Sequence, residues 1–401
     1  MKKIYYYAGE RDLSILIEKN NKFLGLELEE IADIQKIEKS NYLYVSDFVF
    51  NSCIQKQDYL MQQFPRKCLM RKIEDLYTIP FNRVALEISG ECNAKCKYCS
   101  TGSHNRLFGT DENSVSLSVK DVESLIDDLI ERKIIDEKAI IDLYNWKEPL
   151  LNKDLELISK YLSNKGLEFT LSTNASVVPD KNVKGAFKGL TALIISMPGF
   201  SQKSYSKIYG FNFEIIKENI KTILKNFINL GFSGEATILY HVYQYNLHEL
   251  PDAIKFAHDL GVQLYPCFAF PISFDVCIDY ITHELSQNLL YEMSSDLFLF
   301  QIKDILEERS VDYYCNQGKL LTIDENRDLV LGCCIDRYSK YADKCYRLGD
   351  ITQLDICAIR KLKEASFESE VCQICRKTGA DYCGSNCGTK FKQLFCNYFK
   401  N

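Results

Sequence analysis

From residue 83 onward, apolar and polar positions follow a repeated strand-then-helix pattern. Six runs have the length and β-branched content of strands. They lie at 84–89, 139–144, 168–172, 192–197, 235–242 and 262–268. Runs with apolar residues every three to four positions predict helices at 119–132, 152–164, 213–230 and 248–260. Ser118 suits a helix N-cap, and Gly166, Gly231 and Gly261 suit helix ends. Six such units predict an α/β protein with a parallel sheet, in an open, partial (βα)6 barrel of TIM-like type.

The regions on either side of this barrel, which we assign to residues 81–283, have a different pattern. Residues 1–80 contain short strand-like runs at 3–7 and 42–45 and no glycine-rich phosphate loop. They predict a small α/β appendage of undetermined role. A helical pattern over 284–309 predicts one linking helix within residues 284–312. Residues 313–401 are rich in cysteine and poor in periodic runs, so we expect metal sites to stabilise them.

Charge and hydropathy exclude several functional classes. The chain of 401 residues is 46% hydrophobic and 26% charged, with a net charge of −6, which argues against nucleic-acid binding by phosphate neutralisation. No apolar run approaches the roughly 20 residues that cross a bilayer, and the start has no signal-peptide pattern. We therefore expect a cytoplasmic protein that binds neither nucleic acid nor membrane. Disulfides are rare in that compartment, so 17 cysteines indicate metal binding or catalysis.

Three cysteines form a compact CxxxCxxC motif directly after the first barrel strand, at Cys92, Cys96 and Cys99. In βα barrels the reacting groups lie in the loops that follow strand carboxyl ends. Three thiolates can hold three irons of a four-iron cluster and leave the fourth iron open. The alternatives are a zinc knuckle lacking its fourth ligand, a redox pair formed by Cys96 and Cys99, and chance.

The motif resembles the CxxxCxΦC signature of the radical S-adenosylmethionine (SAM) superfamily, with Tyr98 as the aromatic Φ. The resemblance implies a four-iron, four-sulfur (4Fe-4S) cluster on the three cysteines and S-adenosyl-L-methionine on the open iron. One electron, from a donor such as flavodoxin or ferredoxin, then cleaves SAM to methionine and a 5′-deoxyadenosyl radical, which removes a hydrogen atom from the substrate. The resemblance also implies that Tyr98 lies against the adenine.

Other barrel motifs support the resemblance in part. Residues 144–151 are similar to the Gly-Gly-Glu-Pro motif that contacts the SAM amino group, but Trp146 and Lys147 replace the glycines. Residues 196–199 resemble Ser-Ile-Asp-Gly, and Tyr209 occupies the place of an arginine that meets the SAM carboxylate, for which Lys203 or Lys207 could substitute. An ordinary helix start, a polar turn and a packed histidine are the alternatives. The resemblance thus assigns SAM contacts to Glu148, Ser172, Thr173, Asn174 and Ser196. It assigns a SAM or substrate contact to His241.

The cysteine-rich tail resembles the SPASM extension of that superfamily, which carries one or two auxiliary 4Fe-4S clusters. The resemblance implies a distal cluster on Cys372, Cys375, Cys383 and Cys396. It also implies a proximal cluster on Cys315, Cys333 and Cys387, with Cys345, Cys334 or no residue as fourth ligand. The spacing between the second and third cysteines of the distal set is longer than usual. A zinc ribbon over 372–387 is the alternative.

Three functions remain open from these residues. The first is an oxidoreductase or maturase that acts on a peptide, protein or small molecule, with auxiliary clusters accepting an electron. The second is a redox-neutral epimerase of a sugar or peptide residue, for which Cys267, just past the sixth strand, or else Cys277 would donate a hydrogen. Each cysteine could equally be a small buried core residue. The third is a non-catalytic metal-binding scaffold.

Overall fold

The structure is a computed structural model that describes most of the chain from residue 78 onward. The described ranges are 78–110, 114–271, 273–307, 317, 319–332, 335–380, 388 and 390–394, together with the backbone of 4–7, 28–30, 42–45 and 69–72. Within these ranges, no helix combines the length and hydropathy needed to span a membrane.

The backbone before residue 78 contributes one four-stranded parallel sheet in the order β2-β1-β3-β4. Two of its strands fall on the predicted runs at 3–7 and 42–45, and the parallel pairing agrees with an α/β appendage. The connections between the strands lie outside the described residues. The strands are β1 (Ile4–Tyr7), β2 (Leu28–Glu30), β3 (Tyr42–Val45) and β4 (Leu69–Lys72).

Six parallel strands follow in sequential spatial order, from β5 at one side to β10 at the other. Among the described strands, β10 pairs with β9 and not with β5, so the sheet stays open. The prediction of an α/β fold with a partial barrel is confirmed. The strands are β5 (Phe81–Leu86), β6 (Ile135–Asp142), β7 (Phe169–Thr173), β8 (Leu190–Met197), β9 (Glu235–Val242) and β10 (Gln263–Phe268). Cys267 lies inside β10 rather than beyond it.

Helices pack on the sheet and bury an apolar core in which Leu193, Leu129 and Ile220 are fully enclosed. The Ser118 side chain accepts a hydrogen bond from the Asp121 backbone N–H, and the Asp121 carboxylate accepts one from the Ser118 N–H, so the predicted N-cap forms a capping box. The helices are α1 (Ser100–Phe108), α2 (Val119–Glu131), α3 (Leu155–Lys165), α4 (Gln202–Ile208), α5 (Phe213–Asn229), α6 (Leu250–Leu260) and α7 (Phe274–Ile281).

The prediction of one linking helix over 284–309 is wrong. Two helices, α8 (Gln287–Asp296) and α9 (Phe300–Glu307), replace it. Gln244, at the end of β9, explains the break. Its side-chain amide donates to the carbonyl oxygens of Ser294 (2.8 Å) and Leu297 (2.5 Å), and its backbone N–H donates to the Asp296 carbonyl (2.9 Å). These tertiary hydrogen bonds satisfy the last carbonyls of α8, so the helix ends there.

The tail contains more regular structure than its cysteine content predicts. A short strand, β11 (Leu321–Ile323), pairs parallel to β5, and β12 (Asp328–Val330) and β13 (Arg347–Asp350) continue the sheet as antiparallel strands. Nine strands of the described chain therefore form one sheet, and the tail extends it beside the first barrel strand. The tail helices are α10 (Ala342–Cys345), α11 (Ile356–Phe367) and α12 (Glu370–Thr378).

Candidate active site at the open end of the barrel

The three motif cysteines lie in the loop between β5 and α1, with Cys99 as the N-cap residue of α1. The Asn105 side-chain amide donates to the backbone carbonyls of Cys92 (2.5 Å) and Ala94 (3.1 Å). Gly102 abuts the loop so closely that a Cβ atom there would lie 2.4 Å from the backbone nitrogen of Cys96. The helix therefore holds the loop that carries the cysteines, which we call the cysteine loop (residues 91–99).

All three cysteines are half-buried. Burial raises the pKa of Cys92 to about 12 and raises the pKa of Cys96 and Cys99, and in the first two the neighbouring thiols add to the rise. Three soft ligands facing one enclosed space fit an iron–sulfur cluster, which requires thiolates and displaces their protons on binding. Over the ranges described above, no three Cys, His, Asp or Glu side chains converge on one ion. A cluster instead places each thiolate on a different iron.

A cavity of about 530 Å³ opens beside the cysteine loop, within the size range of ligand sites. The structure brings every predicted barrel site residue to its wall. The residues are Cys92, Cys96, Tyr98, Cys99, Glu148, Ser172, Thr173, Asn174, Ser196, His241 and Cys267.

The Glu148 carboxylate is fully engaged inside the protein. It accepts hydrogen bonds from the Thr173 hydroxyl (2.7 Å) and from the backbone N–H groups of Asn174 (2.8 Å) and Leu150 (3.1 Å). Burial raises its pKa to about 7. The Asn174 side-chain amide in turn donates to Asn93 in the cysteine loop (3.2 Å). Glu148 thus holds the loop after β7 in place.

The two residues that replace the expected glycines contact the tail. The Glu87 carboxylate accepts hydrogen bonds from the backbone N–H groups of Trp146 (2.7 Å) and Lys147 (3.0 Å), and burial raises the pKa of Glu87 to about 8. The Trp146 ring lies 5.6 Å from that of Tyr346, and the Lys147 ammonium lies 5.0 Å from the centroid of the Tyr338 ring. Sequence reasoning missed Glu87, because nothing in the strand pattern separates it from other buried positions.

Sequence reasoning also missed a buried carboxylate at the end of α8. Asp296 is 1% exposed and accepts a hydrogen bond from the Tyr98 hydroxyl at 2.7 Å. It also pairs with the ammonium groups of Lys97 (2.9 Å) and Lys207. The Lys207 charge is therefore bound to Asp296, while Lys203 is exposed on α4, and neither lysine lines the cavity.

His241 and Cys267 face each other across β9 and β10, where they are register partners. The Cys267 Sγ lies 3.6 Å from the His241 Nδ1. Burial lowers the pKa of His241 to about 4, so its imidazole is neutral at pH 7. The pair presents one sulfur and one uncharged imidazole to the cavity.

Three described tail cysteines belong to one apolar cluster, and none of them lines the cavity. Cys345, Cys372 and Cys375 pack in one buried cluster, and Cys277 of α7 joins them. Sequence reasoning treated Cys277 as isolated because only the fold brings it to the tail. The remaining predicted ligands, Cys315, Cys333, Cys334, Cys383, Cys387 and Cys396, lie outside the described residues.

Comparison with known proteins locates this site in a defined family. Residues 86–257 match the family described as Radical SAM superfamily. The chain is 27% identical over 195 residues to the PqqA peptide cyclase of Bradyrhizobium diazoefficiens, covering 47% of this chain and 46% of that protein. It is 26% identical over 208 residues to the GTP 3′,8-cyclase of Vibrio atlanticus, covering 50% and 57%. The chain thus spans about half the length of these curated relatives.

A solved structure with a similar fold is that of Streptococcus suis SuiB bound to its precursor peptide SuiA. The TM-score is 0.46 at 10% identity, covering 78% of this chain and 76% of that chain. The family match includes the cysteine loop, the four barrel strands β6 to β9 and the last residue of β5. Residues 86–257 are therefore a radical SAM domain.

Proposed function

We propose that this protein is a radical SAM oxidoreductase that removes a hydrogen atom from a peptide substrate by way of a 5′-deoxyadenosyl radical. The observation that supports the proposal is one cavity that the three motif cysteines share with every predicted SAM-contacting residue. When bound, a 4Fe-4S cluster on Cys92, Cys96 and Cys99 with SAM on its open iron would supply that radical.

The residues around the cavity would bind and orient SAM. The Tyr98 ring is fixed by the hydrogen bond from its hydroxyl to Asp296, which suits a flat surface for adenine. Ser172, Thr173 and Asn174 offer polar groups at the end of β7, and Glu148 keeps that loop in position. Among the described residues that line the cavity, Lys147 alone has the cationic side chain of a lysine or arginine.

The cavity wall favours a peptide side chain over a nucleoside triphosphate. Seven aromatic residues line it, whereas triphosphate recognition draws on several cationic side chains. The name of one relative, a peptide cyclase, points the same way. The aromatic residues are Tyr98, Trp146, Tyr209, Tyr243, Tyr265, Phe268 and Phe270.

The tail would support an oxidative outcome. Cys345, Cys372 and Cys375 are the described members of the predicted auxiliary-cluster ligands, and they lie in or against the same apolar cluster. An auxiliary cluster there would accept the electron that remains on the substrate after hydrogen removal. We place the enzyme in the cytoplasm, where a flavodoxin or ferredoxin would supply the first electron.

A redox-neutral epimerase is the second candidate, and the contact between His241 and Cys267 favours it. A Cys267 thiol could return a hydrogen atom to a carbon radical on the substrate. The sulfur-centred radical left behind would regain its thiol by taking one electron from the same class of protein donor and one proton from solvent. The neighbouring imidazole is a route for that proton.

The deciding experiment begins with anaerobic reconstitution, followed by addition of SAM and dithionite and measurement of 5′-deoxyadenosine. We expect formation by the wild type and none by the Cys92→Ala/Cys96→Ala/Cys99→Ala variant. A wild type that carries its clusters and makes none, with or without peptide, would contradict the proposal. If the product formed in deuterated water contains deuterium, and the Cys267→Ala variant no longer incorporates it, the result would favour the epimerase. Full turnover by Cys267→Ala would exclude that cysteine as donor.

A further inference from the structure

Lys147 occupies a position where the motif it resembles has glycine, and the protein fixes both ends of the residue. Its backbone N–H donates to the buried Glu87 carboxylate at 3.0 Å. Its ammonium lies 3.4 Å from the Tyr338 hydroxyl and 5.0 Å from the centroid of that ring. A cation held over an aromatic face in this way keeps one position.

The charge of Lys147 is not neutralised by a direct ion pair with any carboxylate in the described ranges. The nearby acids have other partners, since Glu325 pairs with Arg337 and Asp336 accepts the Ser100 hydroxyl. Lys147 also shares the cavity wall with the motif cysteines.

We propose that Lys147 is a built-in positive charge that raises the reduction potential of the cluster on the cysteine loop, and that Tyr338 of the tail holds it there. The inference rests on the proposed function. A one-electron reduction adds one negative charge to the cluster, with no bond made or broken. A fixed cation in an enclosed site of low dielectric stabilises that more negative state. Cluster potentials depend on such local charges.

The test is a mediated redox titration with dithionite, followed by electron paramagnetic resonance of the reconstituted protein. The signal that changes when SAM is added identifies the barrel cluster. In Lys147→Met, which keeps length and removes charge, we expect the ratio of reduced to oxidised cluster at a fixed potential to fall about tenfold, equivalent to 59 mV for one electron. Lys147→Arg should retain the wild-type potential. Tyr338→Leu, which frees the ammonium, should give a smaller decrease.

Lys340→Met is the matched control. Lys340 also lies over a tyrosine ring, at 5.3 Å from the centroid of Tyr341, but it pairs with Asp279 and does not line the cavity. Its removal should leave the potential unchanged. An unchanged potential in Lys147→Met at wild-type iron content would overturn the inference, as would an equal decrease in Lys147→Arg. If Lys147→Met fails to assemble a cluster, the reduction potential of Tyr338→Leu tests the inference in its place, and an unchanged potential there would overturn it. A wild type that assembles no cluster would refute the proposed function instead.

Discussion

Gly102 allows α1 to approach the cysteine loop closely, and its replacement by alanine tests whether that approach matters. A Cβ atom at residue 102 would lie 2.4 Å from the Cys96 nitrogen, 2.5 Å from its oxygen and 2.8 Å from its Cα. These are backbone atoms, which cannot turn aside as a flexible side chain can. Ordinary contact begins at 3.4 Å, so the helix and the loop must separate by about 1 Å.

Two opposing energies set the size of the effect. Overpacking of this kind costs about 1–3 kcal/mol, while alanine favours a helix over glycine by about 1 kcal/mol. The net loss of stability for Gly102→Ala is therefore modest, about 0–2 kcal/mol. The shift, however, moves the Cys96 backbone, so cluster assembly should suffer more than stability. We expect the iron and sulfide bound per chain to fall at least twofold after anaerobic reconstitution.

Gly166→Ala provides a control of similar thermodynamic cost. Gly166 ends α3 with φ of +75°, so alanine there carries about 1 kcal/mol of backbone strain, and its Cβ atom would meet nothing within 4 Å. Thermal unfolding of the metal-free proteins should show similar losses for the two variants. The iron content should fall only in Gly102→Ala. Wild-type iron content and SAM cleavage in Gly102→Ala would refute the close-approach argument.

Three further variants test other parts of the site. Asp296→Ala leaves the partly exposed Lys97 and Lys207 without their carboxylate and should cost about 1–3 kcal/mol in urea unfolding. It should also raise the KM for SAM, and no loss of stability would contradict a structural role for Asp296. Burial lowers the pKa of His241 to about 4, below its unfolded value near 6.5, so this residue destabilises the fold increasingly as the pH falls from about 6.5 toward 4. In urea unfolding of the metal-free proteins, His241→Gln should therefore lose less stability over this pH range than the wild type. Equal losses would contradict the burial of a neutral imidazole. Cys372→Ala/Cys375→Ala should lower bound iron by about four atoms per chain if these thiols hold one auxiliary cluster. Cys357 lies outside the apolar cluster that contains them, so Cys357→Ala should keep the wild-type iron content. Wild-type iron content in the double variant would contradict the ligand assignment.

The parts of the fold that sequence predicted well are those with local causes. Ser118 caps α2 because its own hydroxyl reaches a backbone N–H within one turn, and Gly166 and Gly261 end helices because they adopt positive φ. The six strands followed from runs of apolar residues in the chain itself. The three motif cysteines were found for the same reason, since their spacing is short.

Other features depend on contacts between distant residues and left no local signal. The helical pattern continues through Leu297, and only Gln244, about 50 residues earlier, ends α8 there. Asp296 meets Tyr98 across 198 residues. Lys147 looks like a departure from its motif until the fold places Tyr338 beside it. Such residues are identified by the structure and not by the pattern.

The parallel pairing of β11 with β5 has a consequence for how the chain reaches its final state. Val84 and its partner Leu321 are about 240 residues apart, so during synthesis β5 stays without its second neighbour until most of the protein has emerged. An unpaired strand edge is a template for association with other chains, and contacts across such a distance form slowly. The newly made barrel is therefore at its most aggregation-prone before the tail arrives. For a nascent chain of this design, the tail covers the β5 edge of the sheet late in folding.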